Sequence, residues 1–281
     1  PAQYNLGRMY ENGLSVDKDC VEAKRLYTLS ANQEYDKAKK ILNNFDKKYE
    51  FYYWFRVKKE AQIIIKEKGY DDGIDYLSSK FSKIKNPNDK MIFDIANFYK
   101  NAKNFEKAIE YYTKIISSMD DNSEIKSDLL YRRGGSYERL GNYQKADEDL
   151  KYSLKISPDD AYVLNYLAYS WLERNYKIDE AMEMLKKAYA LRSNDPYITD
   201  SIGWAYYLIE NYSEAEKYIK KAVELMPDDP TVNDHYGDIL WKLNRNIQAR
   251  YFWKYVLSLD DADEDIKKKI NSKIIEGLNN S

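Results

Sequence analysis

The sequence predicts an all-α superhelix, a solenoid of antiparallel helical hairpins closed by a C-terminal capping helix. Three observations predict it. A small residue followed three positions later by a large apolar one recurs at Gly134/Tyr137, Ala168/Trp171, Gly203/Tyr206 and Gly237/Leu240, with the small residues 34, 35 and 34 apart. A second small residue follows each anchor by twelve or thirteen positions, at Ala146, Ala181, Ala215 and Ala249, and a large one stands four further on, at Leu150, Leu185, Ile219 and Trp253. The composition agrees: 43% apolar and 33% charged, with 10 Gly and 6 Pro in 281 residues, is too rich in core formers for disorder and too poor in turn formers for an all-β fold.

The spacing has a packing reason. Small residues on facing helices let two backbones approach closely, and large ones at helical spacing fill the volume between pairs. One hairpin cannot bury its own apolar faces, so successive hairpins stack.

Taken in order, the chain opens with Ala2-Gln3-Tyr4-Asn5-Leu6-Gly7 and continues through Gly13, Asp19, Ala23, Tyr27 and Ala31, with Ala38 lying 36 residues after Ala2. A first residue Pro1 directly before this helix-like stretch suggests a start inside a longer gene product. Ala61, Gly73 and Leu77 mark a degenerate unit, and Ala96, Tyr99, Ala108 and Tyr112 a better one, followed by an insertion of four residues near Asp120-Asp121-Asn122-Ser123. The strong repeats then run to about residue 261. After them Ile266, Ile270, Ile274 and Leu278 form a narrow apolar stripe opposite Lys267 to Lys269, preceded by Asp263-Glu264-Asp265, whose charge suits a helix start. This is the expected cap. The divisions are 1–37, 38–88 as degenerate repeat and junction, 89–261 as tandem repeats, and 262–281.

These residues resemble the tetratricopeptide repeat, with Gly203, Tyr206, Ala215, Ile219, Ala222 and Pro227 matching almost every motif position. The N-terminal stretch resembles the related Sel-one-like repeat, with Leu14-Ser15 in place of its usual second glycine. The last three repeats look like a bacterial group of tetratricopeptide proteins often found on the cell envelope. The resemblance implies a binding scaffold rather than an enzyme.

Chemistry is scarce in the chain. It carries no Gly-rich phosphate loop, no Cys-x-x-Cys, no nucleophile elbow and a single histidine. His235 and Asp238 share a helical face, with Asp200 one repeat earlier, a combination that suits either a divalent metal or a plain hydrogen-bonding cluster. We expect no metal and no cofactor. The lone Cys20 reads as a packing residue, and it fits a reducing compartment without excluding an envelope one. The net charge of -2 gives no global pull toward nucleic acid or membrane, and no apolar run is long enough to span a bilayer.

The resemblance also implies which residues face a partner. Inward positions of the first helix in each repeat carry over as Tyr162, Asn165, Tyr166 and Tyr169, then Tyr197, Asp200, Trp204 and Tyr207, then Asp234, His235, Asp238 and Trp241. Tyrosine and tryptophan give large contact area for few frozen torsions. The three aspartates would favour a segment carrying Lys, Arg or backbone N–H donors. A clamp for a terminal carboxylate, known in the family, would need Lys58, Gln62, Asn97 and Arg132 to converge, but Asp94 and Asp128 stand where it wants Asn and Lys.

Charge is uneven. Residues 37–114 carry net +7 and the remainder net -9. Within the basic part, Tyr49 to Phe55 places six aromatics in seven positions, followed by Arg56, Lys58 and Lys59. Such a helix is apolar nearly all round. It fills the junction between two repeat types, or else Phe51, Tyr52, Trp54, Phe55, Lys58 and Lys59 form a second contact surface for a protein, a second copy, a membrane interface or nucleic acid. The reading is therefore a protein-interaction scaffold holding an extended or helical partner segment, with a self-assembling structural protein of the envelope as the alternative. The state is monomer or weak homodimer, nucleic acid is not an expected partner, and peripheral association with the envelope, on its periplasmic side, is favoured over the cytoplasm.

Overall fold

The structure, a computed structural model, describes residues 1–84, 86–120 and 123–278, with the backbone alone at 44 and 46–52. Among the described residues every regular element is an α-helix. The chain divides into two compact units, Pro1–Ile115 and Ile116–Ser281.

The first unit opens with a hairpin of α1 (Ala2–Asn12) and α2 (Cys20–Ala31). Gly13 ends α1 in the left-handed conformation at φ 70, and Asp19 starts α2 by accepting from the backbone N–H of Val21 and Glu22. Ala23, Tyr27 and Phe45 form the local core, with the Tyr27 hydroxyl donating to Glu11 at 2.6 Å. Then comes α3 (Asp36–Lys68), 33 residues long. The sequence places a junction between repeat types here, and the structure runs a single helix through it. The reason is local: Asp36 to Lys68 holds neither Gly nor Pro, so nothing stops the helix before Gly69 at φ 98. It turns directly into α4 (Tyr70–Phe81), followed by α5 (Asp89–Asn101) and α6 (Phe105–Ile116). Rings tie the last two together: Tyr99 stacks on Tyr111 at 5.7 Å, and the Tyr112 hydroxyl donates to Asn97 at 2.8 Å.

The second unit is a series of four hairpins, α7 (Glu124–Arg139) with α8 (Tyr143–Ile156), α9 (Ala161–Glu173) with α10 (Ile178–Leu191), α11 (Pro196–Leu208) with α12 (Tyr212–Leu225), and α13 (Pro230–Lys242) with α14 (Asn246–Leu257). Its punctuation repeats with the sequence period. Asp160, Asp195 and Asp229 each cap the first helix of a hairpin by accepting two backbone N–H groups. At the turn inside each hairpin Gly141, Asn175, Glu210 and Asn244 take positive φ, again 34 or 35 residues apart.

Small residues sit where the period requires them. A Cβ on Gly203 would lie 2.6 Å from Ile219 Cγ1, and one on Gly237 would run into the Trp253 indole. Trp253, Leu150, Leu185 and Ile219, the large members of the motif, are fully buried. Finally α15 (Glu264–Glu276), capped by Asp263, packs on α14 and buries Ile270. It is the terminal covering helix.

Candidate functional site

The first helices α9, α11 and α13 of the second unit bring most of the expected inward residues onto one face, but they do two different jobs. Tyr162 and Tyr197 are 43% and 62% exposed. Tyr162 donates its hydroxyl to the cap Asp195 at 3.0 Å, and the Arg192 guanidinium lies 5.0 Å from its ring. Tyr166, Tyr169, Trp204 and Tyr207 are half-buried. The Tyr166 hydroxyl donates to Glu138 at 3.1 Å and its ring meets Tyr131 edge-on at 5.7 Å. Trp204 stacks on Tyr207 at 4.4 Å and donates Nε1 to Glu173 at 3.0 Å. Burial, reinforced by Glu138 for Tyr166, by Glu173 and Asp200 for Tyr169, and by Asp238 for Tyr207, pushes all three phenols well above their ordinary range.

The aspartates correct the expectation that they wait for a partner's cations. Asp200, Asp234, His235 and Asp238 are all buried. His235 Nδ1 contacts Asp200 at 2.9 Å, and the imidazole stacks on Trp204 at 3.9 Å. Lys273 of α15 reaches back to bond both Asp234 and Asp238, the latter at 2.6 Å, while Lys269 approaches Asp234 at 3.3 Å. Trp253 Nε1 gives Asp238 a further bond at 3.1 Å. The positive groups expected from outside come from the next helix of the chain itself. The physical reason is the stacking register: a residue at this position of one first helix faces the corresponding turn of the following one, and α15 takes that place after α13.

Burial acts against each charge here, and neighbours decide the outcome. For His235 burial pulls the imidazolium down, but Asp200, then Asp234 and Asp238, outweigh it and raise the pKa. For Asp238 burial and the adjacent Asp234 win over Lys273 and push the carboxyl up to about 6. His235 and Asp200 thus bond each other while Asp238 bonds Lys273 and Trp253, and among the described residues no three His, Cys, Asp or Glu converge on a metal position.

Two further expected inward residues sit apart from the exposed face. Trp241 packs on Trp253 at 5.4 Å, with Arg250 4.8 Å from its ring and Gly277 against its edge, so the C-terminal end covers it. Asn165 lies half-buried, and its Oδ1 has no hydrogen-bond partner. Its counterpart in the next helix, Asp200, is instead bonded to His235 at 2.9 Å.

A cavity of about 400 Å³ opens beside Tyr166 and Tyr169, walled by Glu138, Arg139, Tyr143, Ser170, Glu173 and Arg174. Sequence reasoning named only the two tyrosines. Glu138 follows Gly134 by four residues and Glu173 follows Ala168 by five, so the two acids hold neighbouring rather than equivalent repeat positions and no periodic signal marks them.

The second candidate surface lies on α3, in the first unit. Phe51 and Tyr52 have side chains outside the described residues. Trp54 is not a surface residue: it is buried, donates to Asp94 at 3.0 Å and meets Phe81 edge-on at 5.4 Å. Lys58 pairs with the same Asp94 at 2.7 Å, as Arg132 pairs with Asp128 at 2.9 Å in the other unit, so the two cations of the clamp expectation are each held by the neighbouring acid. Phe55 is 48% exposed with Lys59 Nζ 4.8 Å from its ring, and these two remain at the surface. No helix among the described residues is long and apolar enough to cross a membrane.

Comparison with known proteins agrees with this architecture. The family model described as the tetratricopeptide repeat matches residues 60–261, and the Sel1 repeat model matches residues 1–35. A TPR repeat-containing protein of Pseudomonas aeruginosa is 35% identical over 88 residues, 31% of this chain. The matched stretch spans only 15% of that relative's own length. A tetratricopeptide repeat protein of Parabacteroides merdae has a similar fold, with TM-score 0.60 and 16% identity over 79% of this chain and 87% of that one. A thermophilic TPR protein of Thermus thermophilus superposes with TM-score 0.58 and 17% identity, over 67% of this chain and all of its own.

Proposed function

We propose, from the premise that this chain belongs to the tetratricopeptide repeat family, that it is a protein-interaction scaffold whose working surface is the first-helix face of α9 and α11. Members of the family generally mediate protein–protein interaction, and the fold is typically a non-catalytic scaffold. One observation carries the assignment to this face. Tyr162 and Tyr197 stand exposed at equivalent positions one repeat apart, beside the half-buried Tyr166, Tyr169, Trp204 and Tyr207 and an open cavity.

The energetics suit binding. Half-buried aromatics have most of their torsional freedom removed by the fold, so a partner covers apolar area with little further ordering. Each well-covered aromatic is worth roughly 2 to 4 kcal/mol, and two or three reach the ~-8 kcal/mol of a micromolar complex. An extended or helical segment is the partner form this arrangement fits, since successive repeats present successive anchors along one line.

The surface residues separate from the structural ones in the choice of variant. Substituting Asp200 or Asp234 breaks buried pairs, so loss of binding there would report unfolding. Tyr162→Ala with Tyr197→Ala removes two exposed rings and one exposed hydrogen bond, from Tyr162 to Asp195, and leaves the buried pairs intact. Partners retained on the native chain from lysate and envelope extract are identified, and each is measured for affinity against the double variant. A drop of tenfold or more with an unchanged helical spectrum supports the face; equal affinity for every retained partner moves the assignment elsewhere.

A further inference from the structure

The second unit neutralises its buried acids from within, whereas two acids nearer the surface, the half-buried Glu138 and the exposed Glu173, are partnered differently. Asp200 meets His235, and Asp234 and Asp238 meet Lys269 and Lys273. Each receives a titratable or cationic group from the following helix. Glu173 receives only neutral donors, the Trp204 indole N–H and the Tyr169 hydroxyl. Glu138 receives the Tyr166 hydroxyl, and its one cationic neighbour is Arg139, 65% exposed and no nearer than 3.7 Å. Both acids wall the cavity of about 400 Å³ floored by Tyr166 and Tyr169.

The other cation at this cavity is spent. Arg174 bonds Asp147 at 2.8 Å and the Ser170 carbonyl at 2.9 Å, and it lies 4.6 Å from the Tyr143 ring. That contact shows the chemistry the site supports: a guanidinium within cation–π distance of a tyrosine ring with a carboxylate beside it. A carboxylate has about four acceptor positions, so one neutral donor on Glu138 and two on Glu173 leave each with capacity to spare.

We propose that this cavity is the subsite for a cationic side chain, arginine above lysine, of the partner segment, stacked on Tyr166 or Tyr169 and bonded by Glu138 and Glu173. The proposal rests on the scaffold reading above and adds the chemistry of its partner. Arginine is preferred because its planar fork bonds a carboxylate and stacks on a ring at once, which an ammonium does not.

The test starts with a random peptide library displayed against the full chain, because no natural partner is named. Selected peptides are synthesised in three forms, with arginine, with citrulline as the uncharged isostere and with lysine at the favoured position. Affinities are measured for the native chain, for Glu138→Gln/Glu173→Gln, and for Tyr162→Ala/Tyr197→Ala. The proposal expects one position enriched in arginine, at least a tenfold loss on citrulline replacement with the native chain, and less than a twofold loss with the double glutamine variant. Peptides that lose affinity on Tyr162→Ala/Tyr197→Ala but show no preference for a cation overturn this subsite and leave the scaffold face standing. Peptides indifferent to the tyrosine variant, or no selected peptide at all, overturn both. The glutamine variant keeps the shape of both side chains and one acceptor oxygen of each, and its unfolding midpoint checks that the fold is retained.

Discussion

The Asp200 carboxylate of α11 holds the His235 imidazole of α13 at 2.9 Å while Trp204 covers the ring at 3.9 Å, so one repeat is joined to the next by a buried titratable pair. This gives the second unit a pH-dependent stability. The folded pKa of His235 is raised above its unfolded value near 6.5, so its contribution is complete below that value and is lost as pH rises through the folded pKa. Asp238, raised from 3.8 to about 6, has the same sign over a lower window: its contribution is present below 3.8 and is lost as pH rises through about 6. Urea midpoints should fall as pH rises above 6.5 in the native chain and fall less in His235→Gln. A midpoint that rises over that range contradicts the assignment.

Lys273 is the second determinant of this region. Its ammonium lies between Asp234 and Asp238 in a site from which water is largely excluded. Lys273→Met leaves two buried carboxylates with one fewer cation, and breaking such a pair costs about 3–5 kcal/mol. Hydrogen exchange should then show α15 and α13 losing protection while α9 and α10 keep theirs. Uniform loss across the unit, or none, counts against the local network.

Gly203 tests the packing period. Gly203→Ala places a methyl 2.6 Å from Ile219 Cγ1, and such overpacking costs about 1–3 kcal/mol. Ile219→Val removes a methyl from the same contact. The double variant should be more stable than the sum of the single effects predicts, by more than about 0.5 kcal/mol in a double-mutant cycle.

Glu210 takes φ 62 at a turn where the first hairpin of this unit has Gly141. A non-glycine residue there carries about 1–2 kcal/mol of strain, part of which glycine returns as unfolded-chain entropy. Glu210→Gly should therefore raise stability by about 0.5–1 kcal/mol, read as a higher thermal midpoint.

The hairpins were legible in the sequence because close backbone approach permits only small residues, and Ala181, Gly203, Ala215 and Gly237 therefore mark the contacts directly. The cap was legible from its apolar stripe. What the sequence hid was pairing across repeats. Asp200 and His235, Asp234 and Lys269, and Asp238 and Lys273 are each 35 residues apart, but α15 carries no repeat motif, so nothing marked its lysines as the continuation of that series. The inward aspartates consequently looked available. The length of α3 was hidden for a different reason: the repeat pattern fades there, and a helix continues wherever no breaker stops it. The cavity acids Glu138 and Glu173 were passed over because family positions drew notice to the rings they hold.

The lysines of α15 have one more consequence. Each hairpin of the second unit ends on a surface that matches the start of another, so an uncovered last hairpin would offer any copy of the chain a place to add, and open-ended head-to-tail growth follows from such contacts. Lys269 and Lys273 occupy that place. A newcomer has to expel an ammonium from two carboxylates before it can dock. On the α13 face, docking is therefore opposed by a network the chain has already closed.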